Sequence, residues 1–197
     1  AGHVRAFGED LVPGIYEDLE LADLIILVGS NTAWCHPVLF QRIVAARVAR
    51  PEIRLVVVDP RRTATCEGAD LHLPLRPGTD VALFNGLLHL CLWDDRIDTD
   101  YIAAHTEGWA DLKQLVRDYT PRSVATTCGI SEADLSRAAQ WFGEAGAALS
   151  IYCQGFNQSS SGTAKNAALI NLHLAMGKIG ATPTPPPAPL RFGPASA

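Results

Sequence analysis

From Leu24 to Val28 the chain runs Leu-Ile-Ile-Leu-Val with no polar residue between, as a strand buried on both faces of a parallel sheet does. It stops at Gly29, and a loop from Gly29 to Pro37 leads into an amphipathic stretch over about 38–50, where Pro37 suits a first helical turn. A second apolar run, Ile53 to Val58, ends at Asp59-Pro60-Arg61-Arg62, so strand, helix and strand follow as a βαβ unit, which winds right-handed. Ala69 to Pro74 reads as a short edge strand. Arg76-Pro77-Gly78-Thr79-Asp80 is then a turn whose Thr79 is expected to cap a helix over about 80–92. Helical pieces fill 94–128, among them Trp109 to Tyr119. Ser131-Glu132-Ala133-Asp134 resembles a capping box for a helix to about Glu144, bracketed by Gly143 and Gly146. Ala148 to Cys153 is strand-like, and a polar loop, Gln154 to Gly162, precedes a helix over about 163–176.

With 48% hydrophobic residues, 197 residues suffice for one packed core. Residues 1–180 form that unit. The last seventeen, 181–197, hold six prolines without apolar periodicity and are expected to stay outside it as a disordered or aberrant tail. A net charge of −5 with scattered basic residues excludes a broad nucleic-acid or membrane-surface footprint, so an anionic ligand has to be held locally. No apolar run approaches the ~20 residues that span a bilayer. Five cysteines, far apart and without a C-x-x-C pair, fit a reduced, cytoplasmic setting. The opening Ala-Gly-His, without a methionine, predicts a true start upstream.

In a parallel sheet the loops that lead from strands into helices gather at the carboxyl edge, where helix N-termini favour phosphates. In the first loop Gly29 permits close backbone approach and Ser30 and Asn31 can donate hydrogen bonds; an ordinary βα turn reads the same way. Asp59 stands where a ribose-binding acid stands in dinucleotide folds, or serves as a turn residue before Pro60, while Arg61 and Arg62 offer forked donors for phosphate or a purine carbonyl. Asp80 suits the N–H edge of a guanine or a second ribose, or simply complements the helix dipole. The loop from Gln154 to Gly162, with Asn157 and Gln158, is the most ligand-like of the four. Lys165 could reach an anion or be a solvated surface charge. His36, His72, His89, His105 and His173 lack ligand spacing and read as structural or surface residues. Gly29 stands without the partners of a G-x-G-x-x-G signature, which disfavours a plain NAD enzyme.

Four segments in register carry a family resemblance: Gly29-Ser30-Asn31 with His36-Pro37; Asp59-Pro60-Arg61 with Thr63 and Thr65; Arg76-Pro77-Gly78-Thr79-Asp80; and Gly155-Phe156-Asn157-Gln158 with Asn171-Leu172-His173-Leu174 and Gly177-Lys178-Ile179-Gly180. Together they resemble the molybdopterin oxidoreductases, which carry a molybdenum bis(molybdopterin guanine dinucleotide). Within that family, residues 155–163 and Arg5 to Asp10 look most like the assimilatory nitrate reductase branch. Ser161, where periplasmic members carry an arginine, points the same way. The resemblance implies an α/β fold with a Rossmann-like parallel sheet flanked by helices, as in the central domains of formate dehydrogenase and DMSO reductase. It implies that Gly29, Ser30, Asn31, Thr32 and His36 line one guanine dinucleotide and that Asp59, Pro60, Arg61 and Thr63 hold its guanosine. Gly78, Thr79 and Asp80 would read the same nucleotide, while Gln154 and Gln158 approach the pterin near molybdenum and Gly155, Phe156 and Asn157 between them also bind the cofactor.

The implied chemistry is reduction of nitrate to nitrite, with electrons from a donor protein or reductase subunit through a 4Fe-4S cluster. Family members carry that cluster's cysteines upstream, a protein ligand to molybdenum, and a C-terminal domain for the rest of the cofactor. None of these lies in this chain, which is therefore expected to be an internal fragment, inactive alone. The abrupt Pro-rich change after Gly180 is expected to reflect a truncated or frame-shifted coding sequence. Two alternatives stay open: a formate dehydrogenase of the same superfamily, and a non-catalytic nucleotide-binding module.

Overall fold

The strand-like runs of the sequence pair with one another, all in the same direction. The computed structural model of the chain describes residues 1–179 and 190–193. Along it come α1 (Gly2–Phe7), α2 (Asp18–Leu21), β1 (Leu24–Val28), the single turn α3 (Thr32–Cys35), α4 (Pro37–Ala49) and β2 (Arg54–Val58). After a 3-10 turn at Ala64–Cys66 follow β3 (Leu71–Leu73), α5 (Asp80–Trp93), α6 (Thr99–His105), β4 (Thr106–Glu107) and α7 (Trp109–Leu115), which tightens into a 3-10 turn at Val116–Asp118. Then come α8 (Pro121–Cys128), α9 (Glu132–Glu144), β5 (Ala148–Tyr152), the turn α10 (Gln154–Asn157), α11 (Gly162–Ala175) and β6 (Leu190–Arg191).

Local chemistry explains most of these boundaries. Pro37 opens α4 and Pro121 opens α8, at positions where a missing N–H leaves no gap in the helix. Ser131 caps α9 as expected, its hydroxyl accepting the Asp134 N–H at 3.0 Å, but the Asp134 carboxylate takes that hydroxyl at 2.8 Å in place of the backbone N–H of a full capping box. Thr79 departs from expectation and does not cap α5. A capping residue needs extended backbone, but Thr79 sits at φ −99°, ψ 12°, and its hydroxyl donates instead to the Arg76 carbonyl at 2.7 Å.

The main sheet has the order β3-β2-β1-β5, entirely parallel, with Leu24 in register with Arg54 on one side and Ala148 on the other. This is the α/β architecture the sequence predicts. Side chains alternate between its faces. Leu24, Ile26, Val28, Val56 and Val58 join Phe84, Phe142 and Phe156 under α5, α8, α9 and α11, while Ile25, Leu27, Leu55 and Val57 meet Leu19 and Ile43 under α2 and α4. Three layers result, and shortening a fully buried Leu or Ile between them to Ala costs roughly 2–5 kcal/mol. The chain steps from β1 outward to β2 and β3, then returns to set β5 on the far side of β1. The point where the order reverses therefore lies between β1 and β5, where open parallel sheets leave a crevice for ligands.

Of the Pro-rich tail, residues 181–189 and 194–197 lie outside the described residues. Residues 190–193 lie back on the body: β6 pairs in parallel with β4, and Phe192 sits 5.5 Å from Trp109. The fully buried Asn171 carboxamide holds both the N–H (3.0 Å) and the C=O (2.9 Å) of Gly193.

Candidate cofactor site at the carboxyl edge of the sheet

Four loops leave the carboxyl ends of β1, β2, β3 and β5, and discrete contacts tie them to one another. The tightest is between the first and the fourth. A Cβ added to Gly29 would stand 2.8 Å from the Phe156 nitrogen, and one added to Gly155 would stand 2.7 Å from the Gly29 oxygen. Main chain thus meets main chain across the β1–β5 crevice, and Gly29, at φ +53°, also holds a conformation that disfavours other residues.

The first and second loops are joined through Thr65. Its buried hydroxyl donates to the Asn31 carboxamide oxygen and accepts the Ala33 N–H, each at 3.1 Å. Ser30 and Thr32 are buried, with hydroxyls 2.9 Å apart. What reads in sequence as a plain loop therefore contains a helical turn, α3, whose Ala33 N–H is held by the second loop. His36 is exposed at the end of that turn, its Nε2 3.7 Å from the Cys153 thiol.

In the second loop Asp59 is only 5% exposed. One of its carboxylate oxygens accepts the Arg61 N–H at 2.8 Å, an Asx turn, and its carbonyl contacts His72 Nε2 at 2.8 Å, which ties the loop to β3. Pro60 and Arg61 are exposed. The Thr63 hydroxyl is buried without a hydrogen-bond partner, an arrangement that costs about 1–3 kcal/mol unless a polar group arrives.

The third loop meets the fourth through charge. Asp80 and Lys165, 7% and 4% exposed, form an ion pair at 2.7 Å, and the ammonium lies 5.9 Å from the centre of the Phe156 ring. This corrects the reading of Lys165 as a solvated charge; α11 packs against α5 along its length and encloses it. Gly78 and Thr79 lie in the exposed part of this turn, where a Cβ on Gly78 would meet nothing. In the fourth loop Gln154, Gly155, Asn157 and Gln158 are exposed, whereas Phe156 turns its ring into the core against Phe84 (5.7 Å) and Tyr152 (5.1 Å). Phe156 can line the crevice with its backbone alone.

Two residues escaped sequence reasoning in these roles. Thr65 carried the signal of a Thr-x-Thr pattern after Asp59 but no hint of its partner, and Lys165 carried none. Among the described residues no three His, Cys, Asp or Glu side chains gather to hold a metal, and no helix is long and apolar enough to cross a membrane. Surface clefts of about 720 Å³ beside α7 and α8 and about 380 Å³ beside α6 include no residue of the four loops.

The molybdopterin oxidoreductase family model matches residues 3–187. The chain belongs to the molybdopterin oxidoreductase family. A nitrate reductase of Shewanella frigidimarina is 50% identical over 178 residues, covering 89% of this chain and 19% of that protein. The F420-dependent formate dehydrogenase alpha subunit of Methanocaldococcus jannaschii is 37% identical over 179 residues, covering 91% and 26%. Among solved structures, acetylene hydratase from Pelobacter acetylenicus superposes with a TM-score of 0.73 at 26% identity, over 81% of this chain and 22% of that one. This molybdopterin oxidoreductase chain thus spans about a fifth to a quarter of the length of the relatives it matches.

Proposed function

We propose that the chain is the part of a molybdenum enzyme that cradles molybdopterin guanine dinucleotide, and that the whole enzyme reduces nitrate to nitrite. The observation that carries the cofactor reading is the backbone-to-backbone meeting of Gly29 and Gly155 at the crevice between β1 and β5, with loop N–H groups and polar side chains around it. The residues fit such a group. The orphaned Thr63 hydroxyl and the buried Asp59 suit a ribose, the exposed guanidinium of Arg61 suits a phosphate or purine carbonyl, and Gln154, Asn157 and Gln158 present amide donors and acceptors beside β5.

When bound, the molybdenum centre supplies a two-electron oxygen-atom transfer, and the protein contributes orientation and electrostatics. Gly29 to His36 line one dinucleotide, Asp59 to Thr63 its guanosine, and Gly78 and Thr79 the neighbouring turn, while Gln154 to Gln158 face the pterin. Asp80 contributes through its partner Lys165 rather than as a free acid. A 4Fe-4S cluster, an electron-donor protein and a cytoplasmic, assimilatory setting belong to the same proposal. Nitrate is favoured over formate because identity to the nitrate reductase, 50%, exceeds that to the formate dehydrogenase, 37%.

Two measurements test this. The purified chain titrated with GDP should bind it saturably; absence of binding would remove the nucleotide-cradle reading. A chain extended to its relatives' length should oxidise reduced viologen with nitrate and not reduce oxidised viologen with formate. The opposite pattern would establish the formate dehydrogenase alternative, and GDP binding without pterin or molybdenum in that longer chain would establish the plain nucleotide module.

A further inference from the structure

We infer that Lys165 is a positioning residue that locks the third and fourth loops into one rigid wall of the crevice; the consequence for nucleotide binding rests on the function proposed above. Lys165 lies in the first turns of α11 and Asp80 opens α5, helices that start from opposite ends of the sheet order, one after β5 and one after β3. Their side chains meet at 2.7 Å with almost no solvent contact. A buried ion pair adds little net stability, since desolvation offsets attraction, but it fixes geometry, because separating the charges strands both in apolar surroundings. The fastening continues inward. The ammonium lies over the Phe156 ring, and the backbone nitrogen of Phe156 is the atom against which Gly29 is pressed. One side chain therefore connects the Arg76–Asp80 turn, α10 and the first loop.

The same pairing assigns Asp80 a role different from a purine reader. An acid already neutralised by a buried cation sets the spacing of the wall, and the guanine edge is left to Gly78, Thr79 and the second loop.

Three variants of the full chain test the lock: Lys165→Met, Lys165→Met combined with Asp80→Asn, and Lys165→Arg. Amide hydrogen exchange at Thr79, Gln158 and Gly162, all hydrogen-bonded within the two loops, is the primary readout. Lys165→Met strands the Asp80 carboxylate and should lower thermal stability. The double variant removes both charges and should recover most of that stability, yet exchange at the three amides should stay at least ten-fold faster than in the parent and the Kd for GDP about ten-fold weaker. Lys165→Arg keeps the charge and should restore slow exchange. A merely structural role would recover loop protection together with stability in the double variant, and that result would overturn the proposal. A parent chain that fails to bind GDP would sink the cofactor reading, while the exchange data would still decide the lock.

Discussion

Gly29 and Gly155 set the narrowest point of the site, and both resist any side chain. Gly29→Ala would place a methyl group 2.8 Å from a backbone nitrogen and force an L-residue to φ +53°, which alone costs roughly 1–2 kcal/mol. The expected result is a lower urea midpoint together with lost GDP binding; unchanged values would show that the two loops part easily. Gly155→Ala lacks the φ penalty but puts a methyl group 2.7 Å from the Gly29 oxygen, so it should lower both values as well. His173 makes a different prediction. Its Nε2 contacts the Ser150 hydroxyl at 2.7 Å, the Phe142 ring meets it edge-on at 5.0 Å, and burial, aided by the nearby Lys178 charge, lowers its pKa to about 4. Above about pH 6.5 both folded and unfolded chains carry a neutral ring. Between there and about pH 4 the unfolded chain takes a proton that the folded one refuses, so stability falls as pH falls, by on the order of 1.4 kcal/mol per unit at most. Denaturation at pH 7 and pH 5 should show this slope in the parent and a shallower one in His173→Gln.

Among elements, β1 and β2 were legible because they are buried on both faces and carry apolar runs, and α4, α9 and α11 because Pro37, Ser131 and Gly162 mark their starts, whereas the two-residue strands β4 and β6 were missed, one within a stretch read as helical and the other within the tail read as disordered. The short helices α1 and α2 were not legible either, since six and four residues leave little periodicity and their positions depend on α11 and α4. Nor were the turns α3 and α10, which read as polar loops until their N–H groups find partners. Convergence of the four loops followed from the parallel order of the strands; the Thr65 and Lys165 links did not, because each joins residues more than thirty or eighty positions apart whose pairing only tertiary packing fixes. Thr65→Val should cost about 1–3 kcal/mol and speed exchange at Ala33 while leaving Ile26 in β1 protected. Equal acceleration at both would show a global loss of stability rather than a freed loop. Asn171→Ala should release the backbone of Gly193, and cleavage by trypsin after the exposed Arg191 should become faster than in the parent.

Taken whole, the molecule is uneven in what it shows to solvent. Val12, Ile15, Tyr16 and Leu21 around α2, and Val38, Val44 and Val48 on α4, are exposed on one flank, and such patches mark surfaces that associate. Sedimentation at rising concentration should reveal self-association that Val44→Glu with Val48→Lys reduces; no change would place the contact elsewhere. Among the described residues the opposite flank, under α5, α9 and α11, has no comparable run of bare side chains; Val4 and Trp93 stand apart there. The strand order has one more effect. The crevice lies between β1, paired on both sides, and β5, one of the two edge strands of the main sheet among the described residues, so one wall is anchored in the interior while the other is a rim. Any neighbour that extends the sheet beyond β5 would stiffen or tilt that rim wall alone, and the grip on the proposed nucleotide would change although no residue touching it had moved relative to its own strand.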